Sequence, residues 1–327
     1  MLSTKRKLQY SLAINEALHQ MMAQDNSVFM IGQGVKSPWY VGNTAQGLLE
    51  KFSAKRVIDT PVSENAVTGA AVGAAVAGMR PVVVHPRVDF MLYAFDPIIN
   101  EAANWHYMNG GRSSVPVVIW GIMNRGGEQA AQHSQALHAL FAHIPGLKVV
   151  MPSTAYDAKG LMIAAIRDDN PVVYIDDRWL YEREDNVPEE MYEVEIGKGI
   201  VRREGKDLTL ISVSYMAYES MKAARELEEE GIDVELIDLR TVKPLDEEII
   251  LESLRKTGKA VIVDGAWKTC GLSAEVSALL SEKGFNYLKA PVKRITLPES
   301  PAPASCELEK EYYPTHLDII NAIRKLT

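Results

Sequence analysis

The sequence predicts an α/β protein: a parallel-sheet domain followed by a smaller second α/β domain. Three observations carry this. Short β-branched runs bounded by Gly, Pro or Asp alternate with stretches of helical period, which is the rhythm of βαβ units. The alternation breaks once, in the charged stretch from Arg178 to Asp207 around Pro188, and then resumes. A chain of 327 residues, 47% of them hydrophobic, is long enough for two cores at the usual ~100 to 200 residues per domain.

The elements follow in chain order. Tyr10, Ile14, Ala17, Leu18 and Met21 share one face of a first helix. Strands are expected at Ser27 to Ile31, Arg56 to Asp59, Pro81 to His85, Val115 to Trp120, Leu147 to Met151 and Pro171 to Ile175. The run from Ala66 to Met79 is rich in alanine and broken by Gly69, Gly73 and Gly78, so it reads as a buried helix and not a membrane span. Its small side chains let another backbone approach closely, which suits a subunit interface and packing inside one domain equally. The break places the boundary so that the domains are 1–190 and 191–327. In the second domain, strands at Leu208 to Val213, Val234 to Leu239 and Ala260 to Val263 alternate with helices through Met221 to Glu230 and around Glu247 to Lys256. The segment from Leu297 to Pro314 is too proline-rich for a central strand, and a last helix, Leu317 to Leu326, is expected to dock back on this domain.

Composition and missing motifs exclude several classes. A formal charge of -8 lacks the basic footprint that nucleic acid or an anionic membrane requires. Two cysteines, Cys270 and Cys306, make no disulfide framework, and the first residues hold no apolar signal core, so a cytoplasmic or similarly reducing location is expected. There is no G-x-S-x-G, Walker loop, H-E-x-x-H or C-x-x-C. Ile31 to Ser37 starts like a dinucleotide fingerprint but brings no third glycine before Pro38.

Two segments remain as candidates for chemistry. Asp59 to Asn65 leaves a strand and enters the small-residue helix, placing Glu64 at a helix mouth on the carboxyl edge of the sheet, where α/β proteins bind ligands. Helix capping by Ser63 or Glu64 explains the same residues. His133 follows the glycine-rich run Arg125 to Glu128. A lone histidine there is more often structural than catalytic. His138 and His143 follow at spacings that do not match the i, i+4 face of a helical zinc site.

Taken together, DTPVSE at Asp59 to Glu64, AVGAAVAGMRP, AAQHSQ, GLKVVMPSTAYDAKGL, AIRDDNPVV and IDLRTVKPLDEEI resemble, in this order and spacing, the β subunit of the E1 component of 2-oxo acid dehydrogenase complexes. The resemblance runs from about Lys7 to Leu326. Acetoin dehydrogenase β subunits and the C-terminal half of transketolase share the architecture. What the resemblance implies is a thiamine diphosphate enzyme, with a pyrimidine-binding domain followed by a transketolase C-terminal domain. It implies that Glu64 contacts the aminopyrimidine N1′, that Phe90 packs on that ring, and that His133 orients substrate or delivers the acyl group to lipoamide. It further implies a structural monovalent cation such as K+, with Val117, Ala165, Asp168 and Asn170 at the matching positions. The chain has no Gly-Asp-Gly, the motif with which this group holds Mg2+ on the diphosphate. An α partner is therefore implied to supply the metal site, in an α2β2 assembly served by a lipoyl E2.

The chain departs from the family pattern in three places. Val82 to Phe90 introduces His85 and Arg87 where an acidic residue and aromatics are usual, Gln33-Gly34 stands where acidic residues are common, and Lys268 follows Trp267 where proline is frequent. His85 and Arg87, with Tyr93 beyond them, are expected to bind substrate: they suit a carboxylate or a sugar phosphate, though a surface ion-pair set is the alternative. The main expectation is an E1 β subunit acting on a 2-oxo acid. A split transketolase-like carboligase, passing a two-carbon or acyl unit to an aldehyde without E2, is the alternative. A cofactor-free structural subunit is a third, disfavoured by the presence of Glu64 and His133.

Overall fold

The computed structural model describes residues 6–326, apart from the side chains of Pro38 and Trp39. Its contacts divide the chain into two units. The first comprises the residues up to Asn124 together with Leu140–Ile196, and the second Arg125–Ala139 together with the chain from Gly197 onward. Among the described residues no helix is long and apolar enough to cross a membrane.

The first unit is built on β2 (Val28–Gln33), β3 (Val57–Thr60), β4 (Arg80–His85), β5 (Val118–Met123), β6 (Lys148–Val150) and β7 (Val172–Asp177). Their spatial order is β6-β7-β5-β4-β2-β3, every pair parallel. Every residue of β5 and β7 is buried, as expected for central strands covered by helices on both faces. A small antiparallel pair, β1 (Lys7–Gln9) with β8 (Glu184–Asn186), lies apart from this sheet.

The helices are α1 (Tyr10–Gln24), α2 (Pro38–Val41), α3 (Leu48–Phe52), α4 (Glu64–Val76), α5 (Asn104–Met108), α6 (His138–Ala142), which begins in the second unit, and α7 (Ala155–Arg167). A 3-10 turn at Val88–Ala94 and a π-helical stretch at Asp96–Ala103 follow β4. The α7 helix is capped by Thr154, whose hydroxyl accepts the Asp157 N–H at 3.1 Å. Lys159 is fully buried on this helix, but its ammonium donates to Glu16 of α1 at 2.6 Å and to the Pro188 carbonyl at 2.7 Å, so the charge is paired. Asp176, near the end of β7, accepts the Trp120 indole N–H at 3.1 Å, and burial pushes its carboxyl up to about 7.

The second unit contains β9 (Ile200–Arg203), β10 (Leu208–Ser212), α8 (Tyr215–Glu229), β11 (Val234–Asp238), β12 (Thr241–Lys243), α9 (Glu247–Thr257), β13 (Ala260–Trp267), α10 (Leu272–Lys283), β14 (Lys293–Leu297), α11 (Cys306–Tyr312) and α12 (His316–Ile323). Five strands form a sheet in the order β14-β13-β10-β11-β9, parallel except for β9. The last helix docks as expected: Ile319, Ile320 and Ile323 are buried in one cluster with Ala223, Leu227 and Val263. Each such isoleucine contributes roughly 1.5–3 kcal/mol by burial.

Several elements differ from the sequence reading. The edge strands β9 and β14 were not expected: every residue of β9 is only partly buried, so it shows no alternation, while β14 is short, with Ile295 and Leu297 buried at alternate positions, and leads into the proline-rich segment. Helix α8 begins at Tyr215 and not near Met221, and α10 and α11 add helices where none was expected. The α11 helix fits between the prolines at 303 and 314, so a proline-rich segment still holds a short helix. Helix α4 starts at Glu64, two residues before the small-residue run, and buries Thr68, Ala71, Val72 and Ala75 while Ala66, Ala70 and Gly73 stay exposed.

Candidate active site

In the first unit the site grows from the ends of β2, β3 and β4. Asp59 on β3 accepts the Gly34 N–H at 2.8 Å and so ties down the loop that leaves β2. Gly34 has φ +70, and a Cβ there would lie 2.6 Å from the Tyr40 ring, so the turn needs glycine. The chain then turns and α4 begins at Glu64. Ser63 occupies the N-cap position without a side-chain hydrogen bond, so capping does not account for that serine. Glu64 lies in the first helical turn, where the helix dipole favours a carboxylate.

His85 ends β4. It is 2% exposed, and its Nε2 stands 3.2 Å from the hydroxyl of Thr68 on α4, itself fully buried. Burial lowers the imidazole pKa to about 4, so the ring is neutral at ordinary pH. This corrects one expectation, because a neutral His85 offers a substrate an ordinary hydrogen bond and not a charge-assisted one. Gln33, Ser63, Glu64, Val67, Val84 and His85 line one narrow pocket with about 10 Å³ of free space, room for roughly one water.

Phe90 lies partly buried in the 3-10 turn that packs against α4. Its N–H donates to the Arg87 carbonyl at 3.2 Å. The Arg87 guanidinium donates to the Pro86 carbonyl at 2.7 Å. Burial first, and the like charge of Arg178 second, hold its pKa below the usual arginine range, yet a guanidinium stays cationic in proteins. Tyr93, on the same turn, is 73% exposed. Glu64 and His85 therefore share one pocket, Arg87 and Phe90 stand on the loop leading away from it, and Tyr93 faces outward.

The four positions implied for a monovalent cation also lie in this unit. The Val117 carbonyl accepts the Val172 N–H at 3.0 Å, Ala165 is buried on α7, and Asp168 caps that helix and accepts the Asn170 N–H at 2.9 Å. Their donors are oxygens, which suit a hard cation. Of the four, Asp168 is met by the chain's own cations: Arg80 donates to its carbonyl at 3.0 Å, as it does to that of the neighbouring Ile166, and Lys148 pairs with its carboxylate.

His133 belongs to the second unit and is held by a different scaffold. Arg125 donates to the Gly265 carbonyl at 3.2 Å, the Gly126 N–H reaches the Tyr313 hydroxyl at 3.4 Å, and the Glu128 N–H donates to Glu309 at 2.9 Å. Gly126, Gly127, Glu128 and Ala130 all adopt positive φ. Left-handed backbone at the two non-glycine residues costs free energy that the surrounding bonds must offset. His133 is partly buried, with its N–H directed at the Ala130 carbonyl at 3.4 Å. His138, singled out in sequence only as failing a metal pattern, is 1% exposed, and its Nε2 lies 3.1 Å from Asp264. Arg80, Asp264, Glu309 and Tyr313 act on residues distant in the chain, so their own neighbourhoods do not show what they hold.

Comparison with known proteins agrees with this architecture. Residues 6–183 match the family described as transketolase, pyrimidine binding domain, and residues 197–319 that described as transketolase, C-terminal domain. These two domains in succession define a transketolase-type, thiamine diphosphate class of enzyme chain. Within that class the chain belongs to the family of E1 β subunits, enzyme components that work with an α subunit. It is 44% identical over 98% of its length to the acetoin:2,6-dichlorophenolindophenol oxidoreductase subunit beta of Cupriavidus necator, covering 97% of that relative. It is 41% identical over 96% of its length to the pyruvate dehydrogenase E1 component subunit beta of Rickettsia felis, covering 96% of that relative. A solved structure described as a split gene transketolase, inactive beta4 tetramer, shares the fold at TM-score 0.78 and 24% identity, with 97% of each chain covered.

Proposed function

We propose that the chain is the β half of an E1-type enzyme that decarboxylates a 2-oxo acid and passes the acyl unit to a lipoyl carrier. The observation that carries this reading is the Glu64 pocket: a carboxylate in the first turn of α4, in a notch lined by Val67 and Val84 together with Gln33, Ser63 and His85, with room for about one water. A ring-sized cofactor cannot be enclosed by so small a notch, so it rests against this surface and a second chain closes the other side. The residues suit thiamine diphosphate, which when bound supplies the electron sink for loss of CO2.

On this chain Glu64 holds a proton at the cofactor N1′, and Phe90 packs against its pyrimidine ring. His85 contributes a neutral hydrogen bond from the pocket wall, and Arg87 and Tyr93 meet the anionic end of the substrate. His133 orients the acyl group and its acceptor, a task suited to an imidazole, which can both donate and accept a hydrogen bond. In the transfer the acyl carbon is oxidised as the lipoyl disulfide is reduced. Mg2+ takes its ligands from the α chain, the assembly is α2β2, and its home is the cytoplasm. A K+ ion at Val117, Ala165, Asp168 and Asn170 has only a bracing role, and the functional domain boundary falls at 190/191. The carboligase alternative is not favoured, since relatives at 40% identity or more are β subunits of pyruvate and acetoin enzymes and the transketolase likeness at 24% is one of fold.

The test is co-expression with the α-type chain of the same genome. Pyruvate and acetoin are assayed with 2,6-dichlorophenolindophenol as electron acceptor, then with a lipoyl domain. Dye reduction and acylation of the lipoyl domain support the reading. Product formation that needs only an aldehyde acceptor overturns it.

A further inference from the structure

The loop that carries His133 is pinned at both ends to one strand of its own unit. At its start the buried Arg125 guanidinium donates to the Gly265 carbonyl at 3.2 Å. At its far end His138 Nε2 lies 3.1 Å from Asp264 Oδ1. Asp264 and Gly265 are consecutive in β13, so a segment that travels out and back is anchored at neighbouring residues. Glycine at 265 leaves space for the clamp, because a Cβ there would stand 2.2 Å from Arg125 Nη1.

The His138 to Asp264 contact is dry on both sides, at 1% and 0% side-chain exposure. Neither side chain has a well-aligned hydrogen-bond partner elsewhere among the described residues, so each is the other's polar neighbour. Burying an imidazole and a carboxylate together is costly, and apolar residues of similar volume in such places are often equally or more stabilising. Stability alone therefore gives a weak reason for this pair. What a buried polar pair does supply is a fixed mutual position, and the loop it closes needs one. Its backbone is left-handed at Glu128 and Ala130, a state that persists only where neighbours over-determine it.

We propose that His138 and Asp264 are positioning residues that hold the loop so that His133 is presented to the reaction in one place. The proposal rests on the role given to His133 above. The pair acts through the loop backbone and touches no reacting atom. Displacing a catalytic group by an ångström can cost about a hundredfold in rate, so a clamp of this kind is felt in turnover before it is felt in substrate affinity.

The test uses the assembled α/β enzyme with pyruvate, comparing His133→Ala, His138→Ala, His138→Gln and the paired replacement His138→Leu with Asp264→Leu. Dye reduction, acylation of a lipoyl domain, KM for pyruvate, thermal midpoint and hydrogen exchange of residues 126–137 are measured on each. The expected result for His138→Ala is a roughly 10- to 100-fold loss in acylation turnover, an unchanged KM and faster exchange in the loop. His138→Gln, which can still donate to Asp264, recovers most of both. The paired leucines recover the thermal midpoint but not acylation. Acylation that returns together with stability in the paired variant overturns the proposal, as does His138→Ala with unaltered loop exchange and turnover. Should His133→Ala leave both half-reactions intact, the role of His133 fails and the positioning role falls with it; loop exchange in His138→Ala then reports separately whether the clamp itself exists.

Discussion

The Glu64 pocket and the His133 loop are assembled by contacts of different reach. Around Glu64, the bond from Gly34 to Asp59 spans 25 residues and that between Thr68 and His85 spans 17, all within the consecutive run of chain from β2 to β4. The loop of His133 is held across 140 residues to Gly265, 181 to Glu309 and 187 to Tyr313. The first is a product of the βα junction itself, where a parallel strand must end and a helix must begin. The second exists only when β13 and the segment around α11 have folded, since contacts of long reach pay their loop-closure entropy late. A group inside a strand–helix junction is placed by local geometry, whereas a group on a long loop is placed by whatever that loop is fastened to.

Four measurements break or sharpen this contrast. The largest effect is expected for Glu64→Gln, with turnover of the assembled enzyme lowered by about 10² to 10⁴ while co-purification with the α chain is unchanged. Loss of co-purification would show that Glu64 shapes the interface more than the chemistry. His133→Ala comes next. Acylation of a lipoyl domain is expected to fall about a hundredfold and pyruvate-dependent dye reduction much less; equal loss of both would erase the division of labour between pocket and loop.

The third measurement concerns stability against pH. His85 has its folded pKa lowered to about 4 by burial, against ~6.5 in an unfolded chain, so above pH 6.5 both states are neutral and nothing is lost. As the pH falls below that, the unfolded chain takes up a proton that the folded chain refuses until about pH 4, and stability drops by up to about 3 kcal/mol. Thermal midpoints of His85→Gln measured from pH 7 to pH 4 should lack this part of the acid loss; an unchanged acid slope would mean that His85 is not sealed from water. The smallest effect is expected for Thr68→Val, about 1 kcal/mol from a hydrogen bond lost beside a buried ring, read by chemical denaturation. No change would leave His85 without need of its partner.

Much of the fold was legible in the sequence because central strands and amphipathic helices carry their burial in their spacing. The strands β2, β4 and β7 fall within a few residues of the β-branched runs that predicted them, and α12 docks on the second unit through its own isoleucines. The edge strand β9 was not legible, since its residues are only partly buried and show no period, and β14, which does alternate, is only five residues long beside a proline-rich segment. At the candidate site, the mouth at Glu64 could be read from a strand followed by small residues. The neutral state of His85 could not, because it depends on the lid that α4 places over the ring.

Residue pattern by itself determined the class of fold, the family and the location of Glu64 at a helix mouth, since these follow from short-range periodicity and from motifs that keep their order along the chain. Tertiary structure alone decided that His85 is sealed and uncharged, that Arg80 and Lys148 serve the oxygens around Asp168, and that His133 is carried by a loop fastened to β13. The physical reason is common to all three: protonation state, charge balance and loop position are set by the neighbours that folding brings within a few ångströms, and most of those neighbours are far away in sequence.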